Sequence, residues 1–174
     1  MEIEELTLTE IPVSEKPLIE FSHVCKHYNY DKGIIKALDD ISFTINKGEF
    51  TVILGDSGAG KSTALNILGG MDCVTSGNVI VDDVIISKKR EKDLTNYRRN
   101  DIGFVFQFYN LIQNLTIEEN IELATQISKN PFSPTEILER VGLSDRKNNF
   151  PNQISGGEQQ RASIARAICK NPKI

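Results

Sequence analysis

A chain of 174 residues can bury one substantial core, and 39% apolar with 25% charged residues is ordinary for a soluble globular domain. No apolar run approaches the ~18 residues of a membrane-spanning helix, and Met1 to Lys16 lacks the basic start and apolar block of a secretory leader, so a cytosolic address is expected. The net charge of −4 gathers at the start, where Glu2, Glu4, Glu5, Glu10, Glu15 and Glu20 face Lys16; the near-neutral remainder argues against nucleic-acid binding.

Residues 1–17 read as an acidic, solvated extension. After it, "LIEFSHVCKHY" (18–28) begins as a short strand and turns polar, while "ISFTI" (41–45) and "FTVIL" (50–54) are β-rich runs separated by a turn at Gly48. "TALNILGG" predicts a helix with Leu65 and Leu68 at helical spacing, closed by a glycine pair. "NVIVDD" (78–83) predicts a strand. The charged stretch 87–100, with Arg98 and Arg99, reads as a solvated helix face, and "IGFVF" (102–106) as a buried strand. "TIEENIELATQI" (116–127) predicts an amphipathic helix with Thr116 and Glu119 as its capping box. Pro131 and Pro134 break it, and "PTEILERVGL" predicts another short helix. Strands alternating with helices place the chain in the α/β class. Cys25, Cys73 and Cys169 are odd in number and far apart, suggesting neither a disulfide framework nor a C-x-x-C metal site.

Positions 55–62 fit G-x-x-x-x-G-K-[ST], with Gly55, Gly60, Lys61 and Ser62 fixed and Gly58 inside. Glycines let successive backbone N–H groups turn inward on phosphate oxygens, and a following helix presents its positive end to the same anion. Lys61 is expected to reach the β- and γ-phosphates, and the Ser62 hydroxyl to ligate Mg²⁺. Farther on, in "NQISGGEQQRASIARAICKNP" (152–172), Ser155 and two glycines open an amphipathic helix with Ala162, Ala165 and Cys169 on one face. Lys170 is expected at that helix's C-terminal end, where a cation suits the dipole.

Together these segments resemble the ATP-binding domain of ABC transporters from about residue 18 to residue 174, nearest to the subgroup serving lipoprotein release and macrolide or peptide export. "GDSGAGKST" is similar to Walker A, "GFVFQFYNLIQNLTIEENI" to the Q-loop region and "ISGGEQQR" to the ABC signature, departing from the usual residues at Ile154 and Glu158. The resemblance implies a P-loop ATPase fold with a helical subdomain at about 108–160. It implies that Gly55, Asp56, Ser57, Gly58, Ala59, Gly60, Lys61, Ser62 and Thr63 hold ATP, with Ser62 and Gln107 toward Mg²⁺ and Gln107 assisting catalysis. Tyr28, with Tyr30 as its competitor, would stack on adenine. Ser155, Gly156, Gly157 and Glu158 would cap the nucleotide of a second copy in a head-to-tail homodimer.

Loop 107–116, which displays Phe108, Tyr109, Leu111 and Ile112, would dock a membrane permease and hold the chain at the inner face of the cell membrane. The family's next elements, a strand ending in Asp-Glu and a switch histidine, would follow Ile174, whose strand Lys173 and Ile174 resemble at its start; His23 and His27 match no family position. We therefore expect the N-terminal portion of a longer transport ATPase, whose 174 residues alone bind Mg-ATP weakly and barely hydrolyse it. The alternative is a non-catalytic protein that binds ATP or a permease.

Overall fold

The computed structural model describes residues 16–30 and 33–174, so the acidic extension lies outside the described residues except for its last two positions. The chain divides into two compact units, Met1–Lys89 and Arg90–Ile174.

The first unit is built on an antiparallel sheet ordered β2-β1-β3-β4, from β1 (Ile19–Tyr30), β2 (Gly33–Ile45), β3 (Ser76–Val81) and β4 (Val84–Ile85). Both β1 and β2 run longer than their apolar cores predict, because the polar residues of each pair with the other's: Lys26 faces Leu38, and Tyr28 faces Ile35. Phe21 sits opposite Phe43 with rings stacked at 4.5 Å, and on its other side opposite Val79. Such cross-strand pairs set the register, which is why Ile19, Phe21, Val79 and Val81 are all buried. Among the described residues of this unit lies the helix α1 (Lys61–Leu68). It buries Ala64 and Ile67, whereas Leu65 is 44% exposed.

The second unit holds α2 (Glu91–Asn100), α3 (Ile117–Thr125), α4 (Pro134–Arg140) and α5 (Gly156–Ile168). The core of α3, α4 and α5 gathers Ile117, Ile121, Ile137, Leu138, Leu143, Ala162, Ala165 and Cys169. The predicted capping box of α3 is complete: Thr116 Oγ1 accepts from Glu119 N, and Glu119 Oε2 accepts from Thr116 N at 2.7 Å. Pro134 stands in the first turn of α4, where its missing N–H costs nothing. The charged stretch is helical as expected, though Leu94 and Tyr97 of α2 are buried. Lys170 serves a different helix end from its own: its Nζ donates to Arg98 O and Ile102 O, both at 2.7 Å, and so caps α2. The C-terminal carbonyl of Cys169 instead receives Phe132 N.

Two predicted strands are corrected. Residues 50–54 pair with no strand among the described residues, and Phe50 and Leu54 are 91% and 86% exposed. In 102–106 only Ile102 is buried, while Val105 and Phe106 are exposed. An apolar run becomes a strand only where another backbone supplies its ladder. The second segment has the beginning of one. Gly103 N donates to Ile174 O and Ile174 N donates to Asp101 O, the alternating pattern of a parallel pair.

Candidate nucleotide-binding site

In the first unit the turn from Gly55 to Gly60 has the backbone of an anion cradle. Gly55, Gly58 and Gly60 have φ of 155°, 84° and 84°. Gly60 is the N-cap of α1, in the left-handed region, and offers no side chain to the helix's first N–H groups. Those groups have no partner within the helix, and no acidic residue stands in the first turn to oppose an incoming anion. A Cβ at Gly60 would lie 2.2 Å from Ala37 O, so the turn fits against β2 only without a side chain. Lys61 folds its ammonium back on the loop, donating to Gly55 O at 2.7 Å and Asp56 O at 2.6 Å. The cation is therefore held over the cradle by contacts that a phosphate can replace. Ser62 is exposed and Thr63 half-buried beside it.

Tyr28 belongs to the same unit. Its hydroxyl donates to Asp72 Oδ2 at 2.6 Å, and the Thr63 side chain reaches the same hydroxyl. The hydrogen bond to Asp72 and partial burial raise the phenol's pKa. Burial alone would raise the Asp72 carboxyl, but hydrogen bonds from Lys26, Tyr28 and Cys73 N outweigh it and hold it below its ordinary value. The Lys26 ammonium lies 4.8 Å from the ring centroid, a cation–π contact that fixes the ring's plane. Tyr30, the competitor, is 61% exposed.

In the second unit Ser155 caps α5 in a closed box. Its Oγ accepts from Glu158 N at 3.3 Å, while Glu158 Oε2 accepts from Ser155 N and from Ser155 Oγ, both at 2.8 Å. Arg146 Nε donates to the other carboxylate oxygen at 3.2 Å. These bonds, those from Ser155 first and Arg146 after them, draw the Glu158 pKa down to about 2. Where α1 begins open, α5 begins already satisfied from within. Added Cβ atoms at Gly156 would meet nothing within 4 Å, and at Gly157 only Arg161 Nη1 at that limit, so bare backbone faces open space. Ile154 is 9% exposed and joins the helical core, which explains why an isoleucine is accepted there.

The Glu158 carboxylate gives a pH prediction. An unfolded glutamate titrates near ~4.3; its folded pKa is lower, so its contribution is whole above that value and is lost as pH falls through 2. Urea unfolding of the wild type is therefore expected to weaken between pH 5 and pH 2 more steeply than that of Glu158→Gln. Parallel acid limbs for the two proteins would refute the assignment.

Gln107 lies exposed in a turn, and Phe108 beside it is 82% exposed. Leu111, expected on the loop's surface, is instead buried at 7%. Sequence reasoning missed two residues that hold this loop. Asn120 of α3, 1% exposed, accepts from Ile112 N and donates to Ile112 O, Leu115 O and Thr116 O. Arg166 of α5 donates to Asn110 O at 2.6 Å and Tyr109 O at 2.7 Å, where both loop residues have positive φ. The non-glycine residues in that backbone state were the discoverable signal of neither contact, since their partners lie 56 and 57 positions away.

A glycine cradle with a lysine over it, opening a helix beside a half-buried tyrosine, defines a phosphate-binding P-loop protein. Residues 38–174 match the ABC transporter family, and the chain belongs to it. Members of this family are ABC-type ATPases whose ATP-binding subunits couple hydrolysis to transport through membrane permeases. An uncharacterised ABC transporter ATP-binding protein of Mycobacterium tuberculosis is 40% identical over 167 residues, covering 93% of this chain and 67% of that protein. The methionine import ATP-binding protein MetN 1 of Staphylococcus aureus is 41% identical over 162 residues, 90% of this chain and 47% of its own length. Among solved structures, the dimeric post-hydrolysis state of the ATP-binding cassette MJ0796, bound to ADP and Pi, superposes with a TM-score of 0.81 at 41% identity, covering 88% of this chain and 70% of that one.

Proposed function

We propose that the chain is the nucleotide-binding subunit of an exporter or extractor and holds Mg-ATP on the backbone and side chains of Gly55 to Thr63. The observation that carries this is the uncapped start of α1 beneath Gly60, with the Lys61 ammonium parked on two loop carbonyls. Gly55, Asp56, Ser57, Gly58, Ala59 and Gly60 would wrap the phosphates. Lys61 would leave Gly55 O and Asp56 O for β- and γ-oxygens. Ser62 would ligate magnesium, which would supply charge neutralisation to the phosphates. Tyr28, oriented by Asp72 and Lys26, would present its ring to adenine.

Ser155, Gly156, Gly157 and Glu158 would meet the nucleotide of a second copy packed head to tail; the dimeric cassettes of similar structure support that reading. Loop 107–116 would seat a permease through Phe108 and Ile112, 82% and 39% exposed, bringing the subunit to the cytoplasmic face of a membrane. No helix among the described residues is long and apolar enough to cross a membrane itself.

The test is equilibrium titration with a fluorescent ATP analogue in the presence of Mg²⁺. Lys61→Ala is expected to weaken binding about 10- to 100-fold, the range of one or two charge-assisted hydrogen bonds. Its far-UV circular dichroism should not change, because the side chain makes only exposed loop contacts. Unaltered affinity in that variant would move the nucleotide elsewhere.

A further inference from the structure

Three ligand atoms converge on the sheet of the first unit: Cys25 Sγ and an imidazole nitrogen of His27 from β1 and an Asp39 carboxylate oxygen from β2, all within 4.8 Å of one another. Cys25 and His27 flank Lys26, whose side chain, like that of Tyr28, turns to Asp72. The strand thus divides its side chains between the proposed adenine platform and this cluster. Backbone bonds fix the ligand-bearing segment, with Thr75 N donating to Cys25 O and His27 N to Thr75 Oγ1, each at 2.8 Å.

His27 Nε2 is buried and has no hydrogen-bond partner. Asp39 Oδ1 is 3.9 Å from it, beyond hydrogen-bond reach. A buried imidazole nitrogen left empty-handed between a thiol and a carboxylate needs an explanation. The outer contacts suit ligands as well: Asp40 N donates to Cys25 Sγ at 3.3 Å, and Lys36 Nζ holds Asp39 Oδ2 at 3.0 Å, leaving the other oxygen directed to the cluster.

We propose that Cys25, His27 and Asp39 bind a divalent transition metal of the zinc type. Mixed sulfur, nitrogen and oxygen donors select such an ion over Mg²⁺ or Ca²⁺, which take oxygen. Metal bonds of about 2.0–2.3 Å would set the ligand atoms about 3.5 Å apart in a tetrahedron, so side-chain adjustments of about 1 Å close the site. Asp39 and His27 have side chains 57% and 28% exposed, which leaves a fourth position for water. The ion would tie β1 to β2 beside the register irregularity at Lys26 and His27.

The experiment titrates Co²⁺ into the full, metal-stripped chain without nucleotide and follows thiolate-to-cobalt absorption. One equivalent should develop the band, and Zn²⁺ should abolish it. Cys25→Ser and His27→Ala should each remove it or weaken binding at least tenfold, whereas Cys73→Ser should leave it intact. Cys169 cannot contribute, being buried with its thiol pushed up to about 11 by desolvation. A second measurement needs only the wild type: Zn²⁺ should slow alkylation of Cys25 while leaving that of exposed Cys73 unchanged. Absence of the band, its loss with Cys73→Ser alone, or equal alkylation of both thiols with and without zinc would overturn the site.

Discussion

Gly60→Ala is expected to abolish measurable binding of an ATP analogue and to lower the melting temperature by about 6–12 °C, the equivalent of about 3 kcal/mol in a chain of this size. Two independent costs add. The left-handed φ of 84° carries a penalty of about 1–2 kcal/mol for any L side chain. The new Cβ also falls 2.2 Å from Ala37 O and 2.9 Å from Leu38 Cδ2. Ala37 O is backbone of β2, and Leu38 is 3% exposed, so neither can swing aside. The start of α1 must lift away from the sheet, taking the cradle with it. Gly58→Ala is the control: φ is again 84°, but the added carbon meets nothing within 4 Å, so only backbone strain remains, about 1–2 kcal/mol. Equal melting temperatures for the two variants would show that the fit against β2 does not matter.

Asn120→Ala is the second large effect, with an expected loss of about 3 kcal/mol or more. Asn120 is buried at 1% and closes a reciprocal pair with Ile112, its Oδ1 accepting at 2.7 Å and its Nδ2 donating at 3.0 Å. Its remaining donor contacts satisfy Leu115 O and Thr116 O. Alanine leaves the loop's backbone groups facing apolar neighbours without partners. Hydrogen exchange should report this locally, with Ile112 N–H and its neighbours exchanging faster while α5 amides near Ala162 and Ala165 change less. Uniform acceleration across the second unit would instead mean that Asn120 supports the core as a whole.

Features set by short sequence intervals were legible. The Walker A turn, the Thr116–Glu119 box and the Ser155 start of α5 each lie within a few residues, and their chemistry is written in residue type. The inner face of α5 was legible because its small residues repeat at helical spacing. Strand assignments at 50–54 and 102–106 overreached, since apolar content states a wish for a partner and not its presence. The lengths of β1 and β2 were underread for the converse reason: polar residues stay in strands when another strand meets them. Leu65 and Leu68 stand at helical spacing, yet the buried residues of α1 are Ala64 and Ile67. Asn120, Arg166 and the Cys25–His27–Asp39 cluster were invisible because each depends on a register or packing that brings distant residues together. The cysteines invited a search for pairs of thiols, whereas the ligand set mixes three donor types across a hairpin.

The grip of Arg166 on Tyr109 O and Asn110 O has a mechanical meaning. Ser155 stands at one end of α5 and Arg166 near the other, about 16 Å apart at 1.5 Å per residue. Between them Ala162 and Ala165, both 0% exposed, pack into the helical core. The carbonyls of Tyr109 and Asn110 and the bare glycines Gly156 and Gly157 are therefore carried by one helix. Ala162 and Ala165 have no free space around them, so a larger side chain at either would push the helix off the core and disturb both of its ends together.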